Sequence, residues 1–226
     1  MSISFIQVIW LSLKVAFLAT LLNLIPGIFW GWLLARKHFP GKKFVDATIN
    51  IPLVLPPIVT GYVLLILLGP GSPLGQLLAI IGYPVAFTWR AAVVAASVVS
   101  FPLLVRAARA AIEQVHPAYE QAARVLGAPE LYIFRRITLA LAIPGIAAGI
   151  LLTFARAIGE FGATIVFASN IPGKTQTIPL AIFSFINQPG GEQQATILVL
   201  VSIVISYGSI FANEFFARRF KKNVVQ

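Results

Sequence analysis

Hydrophobic residues make up 58% of the 226 positions and charged residues only 11%, so the apolar surface exceeds what a soluble core of this size can hide and a bilayer is the expected solvent. The 17 Lys and Arg outnumber the 7 Asp and Glu, but they cluster beside apolar runs and leave no soluble domain to read a nucleic-acid groove, which excludes that class of partner. No cysteine is present, so disulfides and thiolate metal sites are excluded as well.

Five stretches are apolar over the roughly 20 residues that carry a helix across about 30 Å of hydrocarbon: 11–35, 47–69, 85–111, 137–158 and 194–216. They predict an all-α, polytopic membrane protein in which positions 1–226 form one domain with no low-complexity linker. The first stretch has no basic cluster ahead of it and is followed by Arg36 and Lys37, so it reads as a retained helix rather than a cleaved signal. Its Gly27-Ile28-Phe29-Trp30-Gly31, like Gly145-Ile146-Ala147-Ala148-Gly149 in the fourth, is spaced for close backbone approach between helices. The second opens on Ile51-Pro52-Leu53-Val54-Leu55-Pro56-Pro57, while Pro102 and Pro144 are expected to interrupt the third and fourth. Three kinked spans favour a cavity or moving bundle over a passive anchor, because freed carbonyls in a bilayer need protein or water partners.

Charge sets the topology. Arg36, Lys37, Lys42 and Lys43 separate the first two spans, Arg106, Arg109, Arg124, Arg135 and Arg136 surround the central polar segment, and Arg218, Arg219, Lys221 and Lys222 close the chain. Segment 70–84 has no charge, and 162–193 holds only Lys174 and Glu192. Keeping the basic loops in the cytoplasm requires an outer N-terminus, five crossings and a cytoplasmic C-terminus.

Between the third and fourth stretches, residues 116–133 read as a short helix, a glycine turn and a second helical piece. Pro117 suits a first helical turn and Gly127 the left-handed residue that ends a helix. Tyr119, Ala122, Ala123 and Leu126 recur at helical spacing and predict one shallow face. Periodicity alone leaves two readings open, a docking surface or an amphipathic helix on the headgroups.

Segment 159–193 is broken by Pro172, Pro179, Pro189 and Gly190-Gly191 and is assigned to the outer side, where 178–186 forms a short helix at the membrane boundary. The ionisable residues in or beside spans are Lys14, Arg90, Arg156, Glu160 and Glu214, and charge there is costly enough to mark a functional candidate. Snorkelling suits Lys14 and Glu214. Arg156 and Glu160, four residues apart, are expected to pair, either as an outer gate or as mutual neutralisation. Thr164, Ser169 and Asn170 are neutral donors on the outer side and leave two readings open, the lining of a route weak enough to release its cargo or ordinary loop polarity. Gly173-Lys174-Thr175 lacks the glycine five positions earlier that a phosphate loop requires, since Ala168 stands there. His38 and His116 both fall in cytoplasmic segments, no metal cluster is visible, and no serine has a base partner, so no catalytic site is expected.

The pattern Glu120-x-Ala122-Ala123, Gly127 and then Ile137-x-Leu139 resembles the cytoplasmic coupling motif of permease subunits in bacterial and archaeal ABC importers. That family usually has proline after the leucine, where this chain has Ala140, with Pro144 four residues on. The 51–57 run, Ser100-Phe101-Pro102-Leu103, Gly159-Glu160-Phe161-Gly162-Ala163-Thr164 and Ser169-Asn170-Ile171-Pro172-Gly173 together resemble the permeases of molybdate importers. The resemblance implies a homodimer in the cytoplasmic membrane, two cytoplasmic ATPase subunits that bind and hydrolyse ATP, and an extracytoplasmic oxyanion-binding protein, with no cofactor on this chain. It implies ATPase coupling through Glu120, Ala122, Ala123, Leu126, Gly127, Ile137 and Leu139. Sulfate, thiosulfate and tungstate permeases are the neighbouring alternatives. An ion-coupled secondary carrier is a further one, although such carriers commonly show internal repeats and none is found between the halves.

Overall fold

The computed structural model describes the backbone of residues 5–224 and the side chains of residues 5–209 and 211. The described residues form helices joined by turns, with no strand among them. The first stretch becomes α1 (Phe5–Arg36), the third α5 (Trp89–Glu113), the fourth α8 (Leu139–Ile158) and the fifth α11 (Glu192–Val224). Helix α1, the α5 helix and the continuous run Glu130–Ile158 are each long and apolar enough to cross a membrane. Glu214 and the basic cluster Arg218, Arg219, Lys221 and Lys222 lie outside the described side chains.

The second stretch departs from a simple kinked span. It splits into α2 (Lys42–Val54) and α3 (Pro57–Leu68), bent by 112°. Leu55 is extended, with ψ 140, because a residue before proline is pushed out of the helical region. Pro56 is extended for the same reason ahead of Pro57, which then starts α3. Pro102 and Pro144, by contrast, sit inside α5 and α8 without interrupting either. An isolated proline removes one donor and leaves its flanking turns intact, whereas the Pro-Pro pair removes two and fixes two extended residues.

Helix α5 is the axis of the bundle, lined by buried Ala91, Ala92, Ala95, Ala96, Ala108 and Ala111. Its small side chains admit α1 and α8 at backbone distance, as the glycine spacing predicts. A Cβ at Gly31 would lie 2.7 Å from Ala108 Cβ, and one at Gly149 2.5 Å from Ala107 Cβ. Within this contact Asn23 of α1 donates to the Ser97 carbonyl at 2.9 Å and accepts from Ser97 Oγ at 2.6 Å. The outward positions are large and apolar instead, such as Ile25, Val54, Ile58 and Ile66, an arrangement that suits lipid as the surrounding solvent.

At the end of the bundle away from residues 116–133 lie α4 (Pro73–Ile80), α9 (Gly162–Phe167) and α10 (Ile178–Ile186). Helix α10 has the bounds expected for a short outer helix, and Ser12 Oγ of α1 accepts from Ile178 N at 2.7 Å to fix its start. Helix α4 was hidden in an uncharged segment. Ser72 caps it by accepting from Gly75 N at 2.9 Å.

Candidate coupling and translocation sites

Residues 116–138 fold by local rules. His116 is the N-cap of α6 (Pro117–Val125), its Nδ1 accepting from Ala118 N at 3.2 Å, and Pro117 occupies the first turn. Gly127 has φ +80, and two backbone bonds close the helix end: Ala128 N donates to Ala123 O at 3.0 Å, and Gly127 N to Arg124 O at 2.9 Å. That pair is the Schellman arrangement, which needs a left-handed residue where Gly127 stands. After Pro129, α7 (Glu130–Ile133) runs into a π-helical turn, Phe134–Thr138, and so into α8.

The predicted face of α6 is divided. Leu126, Val125 and Tyr119 are 86%, 88% and 59% exposed, and Ala122 is exposed with them, while Ala123 is buried beside Glu120. The cause is Glu120, only 6% exposed. Its Oε1 lies 3.0 Å from Arg36 Nε at the end of α1 and accepts from Thr138 Oγ1 at 2.7 Å. Arg36 Nη2 also donates to Val115 O at 2.7 Å. One carboxylate thus joins α6 to α1 and to the root of α8, and its inward pull rolls Ala123 out of the exposed face. Leu139 packs inward too, against the cluster around Ala108, Ala111 and Ile112, while Ile137 is half-buried. Ala140 is exposed at the uninterrupted join into α8. On the exposed side Arg124 holds Glu130 with bonds of 2.5 and 3.1 Å. Hydrogen bonding to that guanidinium keeps the Glu130 carboxyl below its usual range.

At the other end of α8, Arg156 Nη1 and Glu160 Oε2 are 2.8 Å apart, so the expected pair forms. The approach lies off the hydrogen-bonding direction, which leaves an ionic contact without a hydrogen bond. Glu160, 3% exposed, accepts from Ala163 N at 2.8 Å through Oε1 and so satisfies the start of α9. Thr164 is buried in α9. Asn170 donates to Ser184 Oγ at 2.7 Å and accepts from Gln176 Nε2 at 3.0 Å, tying its loop to α10. Ser169, with φ 64, gives its carbonyl to Thr175 Oγ1 at 3.0 Å. Ser169 and Asn170 therefore brace a loop within the chain.

Arg36, Thr138, Thr175 and Gln176 are the participants that sequence reasoning missed. Each acts on a partner whose proximity is created by folding, and only the basic cluster at Arg36 gave any signal. Lys14, expected to snorkel, sits 3.8 Å over the Trp89 ring. Among the described residues no group of three His, Asp or Glu side chains could hold a metal ion.

Residues 27–222 match the family described as the binding-protein-dependent transport system inner membrane component. The chain is 51% identical over 213 residues to the molybdenum transport system permease protein ModB of Escherichia coli (strain K12), covering 94% of this chain and 93% of that protein. It is 47% identical over 222 residues to the protein of the same name from Haemophilus influenzae, covering 98% and 97%. Its fold is similar to an inward-facing structure of the MetNI methionine ABC transporter, with a TM-score of 0.76, 18% identity and 95% of each chain covered.

Proposed function

Because the chain belongs to the family of binding-protein-dependent transport inner membrane components, we propose that it is the membrane-spanning permease subunit of an ATP-driven importer that carries molybdate into the cytoplasm. The near-full-length likeness to molybdenum permeases carries this reading. Two copies of the chain, two cytoplasmic ATPase subunits and an extracytoplasmic oxyanion-binding protein complete the machine, which sits in a bacterial or archaeal cytoplasmic membrane.

Energetics supports the division of labour. Moving a dianion into an inside-negative cell costs about 4.6 kcal/mol per 100 mV, twice the roughly 2.3 for one charge. A thousandfold accumulation adds about 4.1 kcal/mol. The chain holds no phosphate loop, so the hydrolysis that offsets these costs belongs to the partner.

Tyr119, Ala122, Val125 and Leu126 form the docking patch, and Gly127 turns the chain away from it. Glu120 acts from the inner side. Through Arg36 and Thr138 it couples displacement of α6 to α1 and α8, which are both packed at backbone distance on α5. Leu139 and Ile137 seat the root of α8 in the same core. At the outer end Arg156 neutralises Glu160 while Glu160 caps α9, and this arrangement holds the turn beside the α2–α3 bend, where Gly162 meets Pro57.

Uptake of radioactive molybdate by proteoliposomes containing the chain, its ATPase and its binding protein is the test. Uptake is expected only with ATP and to persist in excess sulfate. Uptake driven by an ion gradient without the ATPase would sink the importer reading, and equal inhibition by sulfate would move the cargo to that anion.

A further inference from the structure

Lys14 is half-buried in an unusual context for a membrane cation. Ile6, Trp10, Phe17 and Leu21 of α1 are 77%, 68%, 61% and 53% exposed, and Lys14 falls within that lipid-facing stripe at helical spacing. The 22 residues from Lys14 to Arg36 span roughly 33 Å at about 1.5 Å per residue, close to the hydrocarbon thickness of about 30 Å. With Arg36 at the coupling segment, Lys14 stands at the opposite headgroup boundary, the depth at which tryptophans such as Trp10 and Trp89 collect.

A cavity of about 330 Å³ opens beside it, lined by Gln7, Trp10, Lys14, Trp89, Lys174 and Gln176 among others. Both cations line it. Lys14 Nζ lies 3.8 Å over the Trp89 ring. Lys174 rides on a turn locked by Thr175 Oγ1, which accepts from Ile171 N at 2.9 Å and donates to Ser169 O at 3.0 Å. No carboxylate lines the cavity, and among the described residues neither lysine has an acidic partner. Gln176, 2% exposed, donates to Asn170 Oδ1 at 3.0 Å and Ser184 Oγ at 3.2 Å, while its Oε1 has no donor.

We propose that this cavity binds the headgroup of an outer-leaflet anionic lipid, with Lys14 and Lys174 on its phosphate and Gln176 on a headgroup hydroxyl. Two unpaired cations at the lipid boundary call for an anion. The orphaned acceptor selects among anions. A fully deprotonated tetrahedral oxyanion offers it no hydrogen, whereas a phosphoglycerol headgroup offers both the negative phosphate and a donor. The site lies on the lipid-facing side of α1, so its occupancy is independent of the transported cargo.

Native mass spectrometry of the intact transporter, purified in mild detergent and mixed with phosphatidylglycerol or phosphatidylcholine, reads the site directly. Phosphatidylglycerol retention is expected to exceed phosphatidylcholine about thirtyfold, in line with two basic residues at an anionic surface. The Lys14→Gln and Lys174→Gln pair should abolish that preference, and Lys14→Arg should retain it. Lys174→Gln alone, in an exposed turn, should weaken it without threatening the fold. Gln176→Leu should bring phosphatidylglycerol down to the level of phosphatidylmethanol, an anionic phosphodiester without a headgroup hydroxyl. Equal retention of the first two lipids, or an unchanged preference in the double variant, overturns the proposal. Displacement of bound lipid by millimolar inorganic phosphate or molybdate overturns the lipid assignment in favour of a free-oxyanion site.

Discussion

Helix α8 has a buried carboxylate at each end, and the two are built alike but reach differently. Glu120 and Glu160 each face an arginine and each accept a hydrogen bond from elsewhere, from Thr138 Oγ1 and from Ala163 N. Arg36 is 84 positions from Glu120 in sequence, whereas Arg156 is only four from Glu160. The inner carboxylate therefore ties three separate elements, and the outer one caps a single turn. Similar local chemistry yields a transmission point in one place and a helix cap in the other, with sequence separation making the difference.

The largest effect that bears on this contrast is expected at the rim of the inner site. Gly127→Val forces a branched side chain into φ +80 with no neighbour within 4 Å to clash, so the damage is confined to the turn and the docking patch. ATP-driven molybdate uptake should fall by about a hundredfold, at the upper range of a coupling of 1–3 kcal/mol, while the protein still inserts. Normal uptake by a variant found in the membrane fraction would remove Gly127 from coupling.

Next is the inner carboxylate itself. Glu120→Gln keeps the acceptor for Thr138 but leaves Arg36 without its counter-charge, so uptake should drop about tenfold while basal ATP hydrolysis by the assembled complex persists. Glu120→Ala should be worse in both uptake and thermal stability. If the two variants behave alike and lose the ATPase on purification, Glu120 is a docking contact and the contrast between the two ends fails.

Glu160→Gln should be milder. It retains an oxygen for Ala163 N and leaves Arg156, whose side chain is 32% exposed, within reach of water, so uptake should stay within about threefold and stability should fall by roughly 1 kcal/mol. Constitutive, ATP-independent leakage of molybdate through this variant would restore the outer pair as a gate. The smallest effect is expected for Arg124→Ala, because its pair with Glu130 is fully on the surface. Uptake and melting temperature should match those of the parent chain, and a loss as large as that of Glu120→Gln would mean that Arg124 itself docks.

The long helices α1, α5, α8 and α11 were legible because hydropathy is summed over many residues, so single exceptions do not disturb it. Helix α10 and the α6–Gly127 turn were legible because proline and glycine state their backbone needs locally. The rest depended on long-range encounters or on phase. The inward roll of Glu120 required Arg36, Asn170 required Ser184 and Gln176, and neither pairing leaves a periodic trace. Proline content alone does not separate Pro56-Pro57 from the single Pro102 and Pro144, because each removes a donor and only the adjacent pair denies the helix two consecutive residues.

The π-helical turn at Phe134–Thr138 does leave a trace, in the stride of the inward-facing residues. Ile133, Thr138, Ala142, Ile146, Gly149, Thr153 and Ala157 are all buried, and every step along that row is three or four residues except the first, which is five. At about 100° per residue a five-residue step in an α-helix would swing Ile133 roughly 140° away from the stripe. The wider turn absorbs the surplus residue and brings the row back into phase. The coupling segment and α8 thus share one continuous inner edge across 25 residues, and the odd stride is where the chain sets the angular offset between its docking face and the bundle.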